Sequence, residues 1–107
     1  MEKLRFRTSA NKNGQIETIE IGGLLVLETA IQLKNELVII AENLHKVIRI
    51  HIFDLEEMDL TGVQLLVAFF RFLKQKKIKY DIDWDLDEDQ KTFFTNIGIG
   101  LDLNMNN

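Results

Sequence analysis

Few residue types in this 107-residue chain can do covalent or metal chemistry. Cysteine is absent, which excludes disulfides, thiolate metal sites and a cysteine nucleophile together. The two imidazoles, His45 and His51, show no close spacing of a zinc site, and His51 reads as a residue of a partly exposed sheet face. Ser9, the sole serine, lies far in sequence from both, so a Ser-His-Asp arrangement has no support. The run Asp81-Ile82-Asp83-Trp84-Asp85-Leu86-Asp87 offers the oxygens that a hard cation wants, but an EF-hand frame starting at Asp81 puts Leu86 where glycine is needed and Thr92 where the bidentate glutamate belongs. Its period-two alternation fits a strand with one solvated face better. Arg71, Lys74, Lys76, Lys77 and Lys79 cluster where cations complement a helix C-terminus, phosphate or lipid headgroup binding being the alternative, and no glycine-rich phosphate loop is present. The remaining reactive candidate is the Thr61 hydroxyl within Met58-Asp59-Leu60-Thr61-Gly62. No cofactor and no metal are expected.

The elements that must position this hydroxyl follow from periodicity. Residues 3–9 alternate apolar and polar, a second extended run follows at Gln15 to Ile21, and Asn11-Lys12-Asn13-Gly14 between them signals a β-hairpin. Gly22-Gly23 predicts a bend or bulge before a short buried strand, Leu24 to Leu27. Thr29-Ala30-Ile31-Gln32 has capping-box spacing, so a helix is predicted to begin there, carried by Leu33, Leu37, Ile40 and Leu44 and ending near Asn43 to Lys46. In Val47 to Phe53, Ile48, Ile50 and Ile52 point one way, which predicts a strand with an apolar face. Asp54 to Asp59 reads as a polar connection, and Thr61-Gly62-Val63-Gln64 repeats the capping-box spacing before a helix running to about Lys76. Ile78, Tyr80, Ile82 and Trp84 mark another strand, and Glu88 to Asn96 a short helix with Phe93 and Phe94. Ile97 to Leu101 is expected to close the domain, with 102–107 a frayed tail.

This order is an α/β alternation on a mixed β-sheet, with right-handed crossovers placing the helices mainly on one side of it. Length predicts one domain over 1–107, its core at about 3–101. Seventeen acidic residues against 13 Lys and Arg give a net charge of −4, which disfavours nucleic acid and leaves proteins as the expected partners. No apolar run reaches the roughly 18 residues of a membrane span, so no direct membrane insertion and a cytoplasmic location are expected.

Stepped at 100° per residue, Leu66, Phe69, Phe70 and Leu73 centre an apolar arc on the second long helix, flanked by Leu65 and Phe72 on one side and Val63 and Val67 on the other. The arc spans roughly 220°, about twice the usual stripe, so either loops bury it deeply or Leu65 and Phe72 belong to a partner or homodimer surface.

Ile19 to Leu27, Val47 to Asp54 and Met58 to Leu66, in this order around a helix, resemble a STAS domain of the anti-sigma factor antagonist family from about residue 3 to residue 101. The family's motif is Asp, two hydroxyl residues and Gly after the Ile-rich strand; Asp59, Thr61 and Gly62 match it, and Leu60 stands where the first hydroxyl belongs. The resemblance implies a STAS-like mixed sheet, a non-catalytic signal-transduction role in transcription regulation, an anti-sigma factor or switch protein kinase or phosphatase-like partner, and a regulatory phosphate on Thr61. A helix N-terminus tolerates such a phosphate, because its free N–H groups and dipole favour negative charge, so the switch would act on a partner and spare the fold. Thr61 read alone is an N-cap worth about 1 kcal/mol. Asp59 either orients the Thr61 hydroxyl, holds a metal delivered by a kinase or phosphatase, or bonds backbone amides. Gly62 admits a close backbone or relieves crowding in the first turn. A constitutive STAS subunit of a transporter or larger signalling assembly is the alternative.

Overall fold

The computed structural model describes residues 3–96. Its elements are β1 (Leu4–Ala10), β2 (Ile16–Leu25), α1 (Leu27–Ala41), β3 (Leu44–Met58), α2 (Leu60–Gln75), β4 (Lys79–Trp84) and α3 (Glu88–Asn96). The sheet order is β1-β2-β3-β4, with β1 antiparallel to β2 and the other two pairings parallel. The expected hairpin forms: the Asn11 side-chain carbonyl accepts from the amides of Asn13 and Gln15 at 2.9 and 3.0 Å.

Alternation builds the core. Ile19 and Ile21 of β2 and Ile48, Ile50 and Ile52 of β3 are buried on one face, against Leu33, Leu37 and Ile40 of α1 and Leu66, Phe70 and Leu73 of α2. Rings continue the core outward: Phe70 stacks on Tyr80 at 5.6 Å and meets Trp84 edge-on, and Trp84 meets the fully buried Phe94 of α3 at 5.3 Å. The wide arc of α2 is thus mostly covered by the sheet and its neighbours, while Leu65 and Phe72 stay half-buried at its edge.

Four expectations are corrected. Gly22-Gly23 does mark an irregular pairing with β3, as expected, but it does not separate two strands; β2 runs through it, with Gly23 at φ +85 and the Lys3 carbonyl 2.5 Å from where a Cβ would lie. The helix after it starts earlier than Thr29 and ends at Ala41, and Val26 is its N-cap. Thr29 is the third helical residue: its hydroxyl accepts from the Val26 amide and donates to the Leu24 carbonyl. Residues 54–58 are strand rather than connection. Asp54, at φ 49, is an extra residue in β3 opposite Gly22, and this bulge flips the alternation so that Leu55 turns inward. Last, Thr61 is not the N-cap of α2; Asp59 is, two residues earlier. In both helices the hydroxyl with capping-box spacing lies two or three residues past the true cap. The closing segment expected at Ile97 to Leu101 and the tail lie outside the described residues.

Candidate functional site

Both long helices begin at the same corner, where the ends of β2 and β3 lie side by side, with Leu25 opposite Met58. A helix leaves its first four N–H groups without intrahelical partners. For α2, the Asp59 amide donates to the Leu25 carbonyl at 3.0 Å and the Gly62 amide to Asp59 Oδ1 at 2.9 Å. The other carboxylate oxygen crosses to the neighbouring helix and accepts from the Leu27 amide of α1 at 2.9 Å. Val26 has no side-chain acceptor, so the Leu27 amide is met by a residue 32 positions away, while the Thr29 hydroxyl meets the Val26 amide. One carboxylate therefore caps two helices and ties their N-termini together. Of the readings weighed for Asp59, backbone bonding is the one this geometry displays.

Gly62 is buried, and a Cβ there would lie 2.2 Å from the Leu25 carbonyl oxygen. The neighbouring backbone that approaches it is β2 of the same chain. Only a residue without a side chain lets α2 seat close enough for Asp59 to reach Leu27.

Thr61 is exposed at the second helical position, beside Leu60, which is 48% exposed. Among the described residues, the amides of Leu60 and Thr61 have no hydrogen-bond partner and form the open end of the helix dipole. A shallow depression next to them is lined by Leu27, Glu28, Glu57 and Asp59, so the corner is locally acidic.

Thr61 also heads a row. Thr61, Leu65, Ala68 and Phe72 follow one another at i, i+4, i+7 and i+11, one side of α2. Leu65, Ala68 and Phe72 face Leu37 and Val38 of α1 across a groove of about 760 Å³ with Lys34 and Lys76 among its lining residues. Phe72 stacks on Phe69 at 6.3 Å, with the Lys76 ammonium over its face at 5.9 Å. The structure brings Asp59, Leu60, Thr61 and Gly62 to the corner and sets Leu65 and Phe72 further along the same helix edge.

A set of residues missed by sequence reasoning lies on α1. Leu27, Ile31 and Val38, at i, i+4 and i+11, are 67%, 74% and 60% exposed, an apolar stripe outside the buried line of Leu33, Leu37 and Ile40. Stepping α1 at 100° per residue, in the same way as α2, reveals it. His51 lies elsewhere, on the sheet face away from the helices, and His45 is beside Asn11 and Gln15 of the hairpin. Among the described residues, no group of three or more His, Asp or Glu side chains is arranged to hold a metal, and no helix is long and apolar enough to cross a membrane.

No family model matches the sequence, and no curated protein matches it. Solved structures do. An anti-sigma factor antagonist from Mycobacterium paratuberculosis is similar with a TM-score of 0.73 at 13% identity, over 92% of this chain and 80% of that one. The Bacillus cell fate determinant SpoIIAA in its phosphorylated form is similar with a TM-score of 0.61 at 21% identity, over 91% and 86%. Unphosphorylated SpoIIAA, an anti-sigma factor antagonist, gives 0.54 at 17%, over 89% and 100%. At these identities the likeness establishes the fold, and the chain has a STAS-like fold.

Proposed function

We propose that this STAS-like domain is a non-catalytic protein-binding regulator that works as an anti-sigma factor antagonist does, docking an anti-sigma factor or switch kinase on the Thr61 corner and the outer faces of α1 and α2, and released by phosphorylation of Thr61. The observation that carries the reading is the position of Thr61: exposed, at an open helix N-terminus, and at the head of the row that includes Leu65 and Phe72. Around it lie Leu60 and the α1 stripe of Leu27, Ile31 and Val38, apolar surface that a partner would cover. A phosphate at the head of that surface brings about −1.5 to −2 charges. A partner seated there must desolvate the new charge beside an already acidic corner, a penalty of about 2–4 kcal/mol or a 30- to 1,000-fold loss of affinity. The helix itself loses nothing, since its free amides accept the charge.

The test is calorimetric titration of the chain and of Thr61→Asp with each anti-sigma factor and switch kinase of the host cell. A partner bound by the unmodified chain and released at least tenfold by Thr61→Asp, with melting unchanged, supports the switch. Equal affinities would remove it.

Leu60 favours a second reading. Where the motif has a hydroxyl, this apolar side chain extends the stripe to the corner, which suits a constitutive subunit of a larger signalling assembly or transporter. That reading expects binding indifferent to Thr61→Asp and lost on Ile31→Asp.

A further inference from the structure

The helices cover one face of the sheet, and among the described residues no element packs on the other. That face carries the side chains that alternate out of the core, and the strand register sets them in rows. One row reads Arg7, Glu20, His51, Asp83 from β1 to β4, and the next reads Ser9, Thr18, Arg49, Asp81. The rows are knit within the chain: His51 Nδ1 lies 4.0 Å from Glu20 and its Nε2 3.6 Å from Asp83, and the Ser9 and Thr18 hydroxyls share a hydrogen bond. His51 also stacks on Phe53 at 4.9 Å, with the Arg5 guanidinium 5.9 Å from the Phe53 ring. The β1 edge thus carries Arg5, held within the chain by Asp54, and Arg7, and the β4 edge carries Asp81 and Asp83 in these two rows, with Lys79 on the same face beyond Asp81.

We propose that this open face is a self-association surface and that its occupant is a second copy of the same chain. The argument is the symmetry of the charges. A two-fold axis lying between two stacked faces and parallel to the strands puts β1 of one copy over β4 of the other and β2 over β3. In the first row Arg7 then meets the partner's Asp83 and Glu20 meets the partner's His51; in the second, Asp81 meets the partner's Ser9 and Arg49 the partner's Thr18. Every charge in both rows falls on an opposite charge, an imidazole or a hydroxyl. An axis across the strands would instead lay each strand on its own copy and, at either row or between them, bring the β4 aspartates onto the partner's β4 aspartates, so the pattern favours one orientation as well as permitting contact. The stacked sheets are expected to cross at about 30° because each is twisted.

The area fixes the strength. Four strands at about 4.8 Å spacing and three or four rows cover roughly 400 Å² per copy, about half of a standard interface. The dimer is therefore weak and reversible, and because its contacts are charged it is sensitive to salt. It leaves the helix faces free, so it stands or falls independently of the function proposed above.

Arg7 and Asp83 of one copy are three strand spacings apart, about 14 Å, too far to pair within the chain. A trans-complementation experiment on the full chain uses this separation. Sedimentation equilibrium of the native protein from about 20 µM to 1 mM is expected to show monomer and dimer in about 50 mM salt, with at least tenfold weaker association in about 1 M salt. Arg7→Glu alone and Asp83→Lys alone each juxtapose like charges and should be monomeric, with melting within a few degrees of native, since both side chains are exposed. Mixed in equal amounts they should form a heterodimer about as tight as the native dimer, because the carboxylate introduced on β1 of one copy now meets the ammonium introduced on β4 of the other. A native protein monomeric at about 1 mM in low salt, a dimer indifferent to either substitution, or two variants that fail to rescue each other would each overturn the proposal.

Discussion

The Asp59 carboxylate gives the most discriminating stability test. Its own cap on Gly62 is worth about 1 kcal/mol by comparison with other N-caps, and the bond to Leu27, exposed to water, adds about 0.5–1.5 kcal/mol. Asp59→Ala is therefore expected to cost about 2 kcal/mol, and at 4–8 °C per kcal/mol for a domain of this size to lower Tm by about 8–16 °C. Asp59→Asn keeps one acceptor and turns the other into a donor that cannot receive the Leu27 amide, so it should lose about half as much. The comparison is Asp87, which caps α3 alone: its carboxylate accepts from the Gln90 amide at 2.8 Å while the Gln90 side chain accepts from the Asp87 amide at 3.1 Å. Asp87→Ala should cost about 1 kcal/mol. Urea unfolding followed by far-UV circular dichroism measures all three. If Asp59→Ala costs no more than Asp87→Ala, or if Asp59→Asn matches Asp59→Ala, the carboxylate does not hold two helices and the reasoning fails.

Gly62→Ala places a methyl 2.2 Å from the Leu25 carbonyl oxygen and must push α2 off the sheet; a loss of about 2–3 kcal/mol is expected from the overpacking, read as a lower urea midpoint. Phe94→Ala removes the fully buried ring that meets Trp84 and should cost about 3–5 kcal/mol, with a change in tryptophan fluorescence reporting the lost contact. Thr61→Asp should shift stability by less than about 0.5 kcal/mol, as exposed substitutions do, whatever its effect on binding. Leu65→Asp and Ile31→Asp separate packing from docking: Leu65 is half-buried against the core and its substitution should lower Tm, whereas Ile31, 74% exposed, should leave Tm unchanged and weaken partner binding.

Much of this arrangement is legible without coordinates. The hairpin turn, the inward faces of β3 and β4, and the α3 bounds all rest on neighbours in sequence, which is where periodicity and turn chemistry operate. Helix starts mislead for an instructive reason. Thr29 and Thr61 each sit three residues before a glutamine, but the chain already turns helical at Leu27 and Leu60, because β2 and β3 end there and Asp59 lies between the two starts. The bulge at Asp54 is equally hidden, since only the pairing with β2 makes residues 55–58 a strand.

What the sequence by itself determined is the alternation of strands and helices, which faces are apolar, and that a hydroxyl stands near the head of α2; these are properties of residues within a few positions of one another. Only the tertiary structure decided that one carboxylate serves two helices, that a glycine admits the strand beside it, that the α1 stripe is left uncovered, and that Arg7 and Asp83 occupy opposite edges of one sheet face. Each of these depends on residues tens of positions apart being brought within a few ångströms by strand pairing, and local pattern carries no information about that distance.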